Sequence, residues 1–262
     1  MRQYRSNEVT ILKNLRLAIA GDLHGVWTEE DFALLQSLKP DAVLFVGDLG
    51  EGDIKLVKAL KRISVPIAII LGNHDRGFDQ TGERLKLQLQ LLGEIHCAWE
   101  RRNWQLSELA VIGARPCSAG GGFFLSPEVQ AVFGPVTLDE SKDRIVVAAS
   151  NVSPSIPLVI LAHSGPTGLG SSADSLCGRD WKSPAIDWGD KDLELAIDGI
   201  RQNRAPELVV FGHMHHYLKR DNRVRRTFHL DRWGTAYLNT ACVPRRFRDI
   251  EGNSLCHFSW VE

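Results

Sequence analysis

LRLAIAGDLHG, residues 15–25, is a short apolar run that closes on glycine and then presents Asp22 and His24 one residue apart. The same arrangement returns twice. AVLFV at 42–46 runs into Gly47, Asp48, Leu49, Gly50 and Glu51, and VPIAIIL at 65–71 runs into Gly72, Asn73, His74 and Asp75. Short apolar runs bounded by glycine read as buried strands. Residues 28–38 and 53–63 lie between them and have helical spacing. The first has Phe32, Leu35 and Leu38 on one face, with Thr28 as N-cap and Asp31 three residues on; the second has Ile54, Val57, Leu60 and Ile63. Strand, helix, strand, helix, strand predicts parallel strands joined by right-handed crossovers.

Two more such strands follow. Residues 158–162 end at His163, and 208–211 end at Gly212, His213, Met214 and His215. Helices are expected over 84–92, 126–133, 138–149 and 191–202, with a hairpin over 104–113 around Ser107 and Glu108. Late strands are expected over 226–230, 235–239 and 254–261. The glycines at 120–122 and the stretch 164–183 read as long surface loops. With no linker or low-complexity tract, residues 1–262 are expected to form a single domain.

Composition narrows the class without naming a function. The 262 residues are 44% hydrophobic and 24% charged, an ordinary globular balance. Lys plus Arg number 31 against 32 Asp plus Glu, so bulk charge points to neither a nucleic-acid nor a membrane partner. The apolar runs are too short to span a bilayer. Polar residues interrupt the N-terminal stretch, which does not read as a signal peptide. The five cysteines are odd in number and form no CxxC pair, so free thiols and a cytoplasmic location are expected.

In an open parallel sheet the carboxyl ends of the strands face one crevice. In extended chain Asp22 and His24 would point the same way, and His213 and His215 repeat that spacing. Asp48, Asn73 and His163 add one group each. Taken singly, Asp22 or Asp48 could cap a helix, Asn73 could serve a turn, and His163 could be a hydrogen-bonded loop histidine. Together they are two carboxylates, one amide and four imidazoles at five strand ends. Oxygen mixed with imidazole suits Mn, Fe, Zn or Co, and so many donors suit two ions that share a carboxylate.

The set DLH (22–24), GDLGE (47–51), GNHD (72–75), His163 and GHMH (212–215) resembles the calcineurin-like metallophosphoesterases, and looks most similar to their small bacterial and plastid-type members. The resemblance implies an α/β fold, a four-layer α/β/β/α sandwich of two mixed sheets flanked by helices, with the late strands forming much of the second sheet. It implies two divalent-type metal ions, the first on Asp22, His24 and His215, the second on Asn73, His163 and His213, with Asp48 bridging. A metal-bound hydroxide would then attack a phosphomonoester or small phosphodiester in line. His74 would contact the phosphate and protonate the leaving group, with Asp75 orienting its imidazole. Purple acid phosphatases carry a tyrosine ligand three residues after the bridging Asp, where this chain has Glu51. Non-catalytic scaffolds of this kind have lost ligands that this sequence keeps.

The remaining candidates have two readings each. Arg76 would meet a phosphate oxygen or solvent. Arg179, Asp180, Trp181 and Trp188 would form a substrate wall or a structural lid. His96, His216, His229 and His257 lack ligand spacing. Lys219, Arg220, Arg223, Arg225 and Arg226 would track a polyanion or sit on a solvated hairpin, the expected reading, since Asp221 breaks the run. The expected protein is therefore a dinuclear metal-dependent phosphoesterase acting on a small phosphoester. The alternatives are a metal-dependent nuclease and a metal-binding scaffold for protein contacts; neither nucleic acid nor membrane is an expected partner.

Overall fold

The computed structural model describes residues 14–262 except 105, 107 and 221. Residues 1–13 of the stretch read against a signal peptide, Ser107 at the tip of the expected 104–113 hairpin and Asp221 lie outside the described residues.

The chain runs β1 (Leu17–Ala20), α1 (Glu29–Leu38), β2 (Ala42–Phe45), α2 (Ile54–Leu60), β3 (Ile67–Ile69), α3 (Glu83–Leu92), β4 (Ala110–Gly113), α4 (Pro127–Phe133), α5 (Leu138–Ser150) and β5 (Leu158–Leu161). It continues through α6 (Lys191–Arg201), β6 (Leu208–Phe211), β7 (Phe228–Leu230), β8 (Ala236–Asn239), β9 (Arg246–Arg248), β10 (Ser254–Cys256) and β11 (Ser259–Val261). The helix starts follow their capping residues. The Thr28 N–H donates to the Asp31 carboxylate at 2.8 Å, Asp53 accepts from the Lys55 N–H, and Thr137 forms a capping box with Glu140.

One sheet has the order β11-β1-β2-β3 and the other β4-β5-β6-β8-β7. Strands β1, β2 and β3 are parallel, in register Ala18↔Val43 and Leu44↔Ala68. Strands β4, β5, β6 and β8 are parallel too, and β7 closes that edge antiparallel to β8. The result is two mixed sheets flanked by helices. The central strands are apolar on both faces because both faces are covered; Leu44, Phe45, Val209 and Val210 are fully buried. Helix α6 lies close on α5, where a Cβ at Gly199 would sit 3.0 Å from Val146.

Two expectations change. Residues 254–261 are not one strand: β10 pairs with β9 in a separate ribbon, and after His257 and Phe258 the chain joins β1 antiparallel as β11, Ala18 opposite Trp260. The late strands thus give β7 and β8 to the second sheet and β11 to the first, where β11 covers an edge that β1 would otherwise expose. The arm opposite β4 lies earlier than residue 104. Arg102 N–H donates to Val111 O at 2.8 Å and Gly113 N–H to Glu100 O at 3.0 Å, while the other side of β4 pairs with β5. Among the described residues no helix is long and apolar enough to cross a membrane, and all five cysteines are free.

Two histidines outside the strand-end loops bear on stability. His96 accepts the Leu71 N–H at Nε2 (3.4 Å), and burial pushes its pKa down to about 3. Burial, with the charges of His216 and Arg245, pushes His257 down to about 4. Both rings are neutral when folded and titrate near 6.5 when unfolded, so their stabilisation is complete above that value and is lost as pH falls below it. Urea unfolding should show stability dropping below pH 6.5 by up to about 1.4 kcal/mol per pH unit for the fully buried His96 ring, and by less for His257, which solvent reaches and screens. His96→Gln should remove one such increment; an unchanged slope would show that His96 is protonated in the folded chain.

Candidate metal centre

The loops that follow β1, β2, β3, β5 and β6 meet at one end of the two sheets. Backbone bonds zip the first pair together: Asp22 N–H to Gly47 O (2.9 Å), His24 N–H to Asp48 O (2.9 Å) and Gly25 N–H to Leu49 O (2.7 Å). The carboxylates lock further loops onto these. Asp22 accepts the His213 N–H at 3.1 Å, and Asp48 accepts the His74 N–H at 2.9 Å. Asp75 takes three backbone donors, Leu49 (2.8 Å), Gly50 (3.1 Å) and Gly72 (2.9 Å). Glycine is required at two close approaches, since a Cβ at Gly72 would strike Asp48 Oδ1 and one at Gly212 would strike Asp22 Oδ2.

The extended-chain reading of DLH and HMH is corrected. Asp22, His24, Asp48, Glu51 and His213 have φ of 51°, 44°, 49°, 54° and 66°. Each lies in the left-handed region that non-glycine residues avoid, so these side chains are aimed by tight turns and not by a strand pleat. The turn at His213 also separates the HMH pair. Its histidines fall in different groups.

One group is Asp22, His24 and His215, with His215 Nε2 at 3.5 Å from Asp22 Oδ1 and the His24 and His215 rings 5.5 Å apart. Another is Asp48, His163 and His213, with His163 Nε2 at 3.4 Å from Asp48 Oδ1 and the two rings 5.2 Å apart. Asn73 Oδ1 is 2.9 Å from the same His163 Nε2. His163 Nδ1 is 2.7 Å from Val46 O, so it carries the proton and Nε2 faces the carboxylate. The third group is His24, Glu51 and His74.

Electrostatics show what this cluster demands. Burial works to raise the Asp48 pKa, but His163, His213 and His74 outweigh it and hold the carboxyl well below the ordinary range. Burial opposes a charge on His163, yet Asp48 and Asp22 push it up to about 10. Burial and the neighbouring His163 charge push His213 down to about 4. The buried His24 Nε2 and His213 Nε2 have no hydrogen-bond partner among the described residues. Buried acids that draw a proton onto an imidazole, beside two imidazole nitrogens without partners, fit bound cations, and the oxygen–imidazole donor set suits a first-row divalent metal.

The expected contact between Asp75 and the His74 ring is not made. Burial and the Asp48 charge push Asp75 up to about 6, and its oxygens are taken by backbone N–H groups. The group at His74 Nδ1 is Glu51, at 3.0 Å, which also lies 3.4 Å from His24 Nδ1. In the sequence Glu51 serves only to set the purple acid phosphatases apart. Arg76 is partly exposed, with its Nε 3.8 Å from the buried Glu128 carboxylate and its guanidinium 5.5 Å from the Phe78 ring centre.

A cavity of ≈ 410 Å³ opens over the cluster, with Asp48, His74, His213 and His215 on its floor and Trp181, Trp188, Tyr217 and Lys219 among its wall. The basic run beyond it is not a uniformly solvated hairpin. Arg225 is 3% exposed and donates to Ala173 O (2.9 Å), Ser175 O (2.6 Å), Gly178 O (2.7 Å) and His215 O (3.0 Å).

The sequence matches the calcineurin-like phosphoesterases over residues 15–217. The chain belongs to the calcineurin-like phosphoesterase family. Comparison with curated protein sequences finds no match. Among solved structures, this calcineurin-like phosphoesterase is similar to the protein TT1561 of Thermus thermophilus (TM-score 0.57, 11% identity, 94% of this chain and 98% of that one). It is also similar to a dimetal phosphatase from Danio rerio (0.54, 10%, 94% and 91%) and to the phosphopantetheinyl hydrolase of Mycobacterium tuberculosis (0.53, 14%, 86% and 89%). At such identities the likeness shows the calcineurin-like fold, two mixed sheets flanked by helices. The family is one of metal-using phosphoester hydrolases, and in this member the strand-end loops carry its candidate ligands.

Proposed function

We propose that the protein hydrolyses a small phosphoester, a monoester or compact diester, at a centre for two divalent ions of the Mn, Fe, Zn or Co class. Asp22, His24 and His215 would hold one ion and Asn73, His163 and His213 the other, with Asp48 shared. The supporting observation is the pair of oxygen–imidazole groups, one containing His24 and the other His213, whose Nε2 atoms are buried with no hydrogen-bond partner among the described residues. Ions bound there would supply positive charge to the phosphoryl oxygens and lower the pKa of water toward neutrality.

The remaining chemistry belongs to side chains. His74 lines the cavity with its Nδ1 held by Glu51, which leaves the other ring nitrogen to bind a phosphate oxygen and pass a proton to the leaving group. Asp75 serves by position, fixing the turns at 49–50 and 72 that carry Asp48 and Asn73. The nuclease alternative loses one of its five cationic groups, because Arg225 is buried and engaged with backbone carbonyls, while Lys219, Arg220, Arg223 and Arg226 stay exposed. Five free cysteines favour a reducing compartment, the cytoplasm.

The test is His74→Ala assayed with Mn²⁺. Hydrolysis of an alkyl phosphate should fall by about 10²–10⁴-fold, with metal content unchanged, and an aryl phosphate with a good leaving group should lose less. Equal loss on both would assign His74 to phosphate binding alone, and undiminished activity would remove it from the reaction.

A further inference from the structure

The wall of the cavity carries a feature that phosphoester cleavage alone does not require. Trp181 and Trp188 meet edge to face with ring centroids 5.3 Å apart. Trp181 is 36% exposed and Tyr217 58% exposed, although both line the cavity that holds His74 and Asp48. Lys219 Nζ lies 6.0 Å from the Trp181 ring centre, and the Arg179 guanidinium 5.1 Å from that of Trp188.

This wall is built. Trp188 Nε1 donates to Ala119 O at 2.9 Å, and a Cβ at Gly121 would sit 2.7 Å from the indole, so glycine there lets the backbone lie against the ring. The segment behind it is held by Arg115, 2% exposed and paired with Asp190 (2.6 Å) and Asp192 (3.1 Å), which also donates to Gly122 O at 3.0 Å. Trp181 follows Asp180, which accepts the Lys219 N–H at 2.6 Å. Arg225 ties residues 173–178 to the His215 carbonyl. Trp188 and the backbone that carries Trp181 are thus held beside the candidate metal-binding turn, as a specificity surface must be, with Tyr217 exposed next to them.

We propose that this wall is a subsite for a planar aromatic ring on the leaving group, and that the substrate class is the nucleoside phosphates. The inference rests on the phosphoesterase reading for the place of the phosphate. The rest is its own: exposed indole and phenol faces stack bases with little regard to identity, and a lysine at the edge favours the ring's carbonyl and nitrogen acceptors. The cavity volume is within the range of small-ligand sites.

Adenosine 5′-monophosphate and ribose 5-phosphate differ only in the base, so the pair isolates the subsite. Tryptophan-fluorescence titration of the metal-free protein should show the nucleotide binding at least about tenfold more tightly. With Mn²⁺, kcat/KM should favour the nucleotide by a similar factor. That ratio should fall by about tenfold in Trp181→Ala and in Tyr217→Ala, the latter an exposed position where folding is not at stake. Preferential nucleotide binding lost in both variants, with neither ester cleaved, would keep the subsite and overturn the phosphoesterase reading. Cleavage of both esters at equal kcat/KM, with equal binding, would keep the phosphoesterase and overturn the subsite.

Discussion

Asp48→Asn is expected to lower kcat/KM for any phosphoester by on the order of 10³-fold or more, about 4 kcal/mol at the transition state. The carboxylate is 2% exposed, lies 3.4 Å from His163 Nε2 and accepts the His74 N–H, so it joins a ligand group to the residue proposed to act on the leaving group. An amide keeps the shape and withdraws the charge. Elemental analysis should show less than the wild-type metal content in the variant. In metal-free protein the His163 pKa, held at about 10 chiefly by Asp48 against burial, should fall; NMR titration of the ring reads this directly. Activity within tenfold of wild type at full metal content would overturn the bridging role.

Arg225→Ala should cost about 3–5 kcal/mol of stability, because it takes the guanidinium from the Ala173, Gly178 and His215 carbonyls and the counter-charge from Asp180, which keeps only the Lys219 N–H. For a chain of this size that lowers Tm by roughly 10 °C. Hydrogen exchange should accelerate first in residues 173–181, the stretch Arg225 pins. Arg232→Ala, at an exposed arginine whose guanidinium lies over the Trp233 ring instead, should leave those amides protected, which separates the clamp from any general effect of removing positive charge. A melting point within about 2 °C of wild type would show that the guanidinium is replaceable by water.

The sequence carried most of the architecture because the informative signals are local. Buried parallel strands are short apolar runs, and each of β1, β2, β3, β5 and β6 ends on a glycine or histidine turn visible to the eye. What it did not carry depends on partners far away in the chain. Residues 254–261 look like one strand, and only the free edge of β1, more than two hundred residues earlier, makes the chain switch sheets at Phe258. Glu51 and Asp75 are both acids near His74, and side-chain direction decided between them: left-handed backbone turns Glu51 toward the ring, while three backbone N–H groups draw Asp75 inward. Arg225 is indistinguishable in sequence from Arg223 and Arg226, because a run of like charges says nothing about which member is buried. The ligand spacing was legible; the conformation that uses it was not, since DLH and HMH share a spacing and adopt different geometries.

The left-handed residues have a consequence for engineering. A side chain in that conformation costs of order 1–3 kcal/mol relative to a relaxed backbone, and glycine does not bear the cost. Asp22, His24, Asp48, Glu51 and His213 all sit there. At Asp22 and Asp48 that relief is offset, because their carboxylates accept the His213 and His74 N–H groups. At His24 and His213 glycine relieves backbone tension while deleting a proposed metal ligand, so a metal-free variant can melt higher than its parent, and selection for heat resistance without a concurrent activity screen would enrich such clones at these two positions.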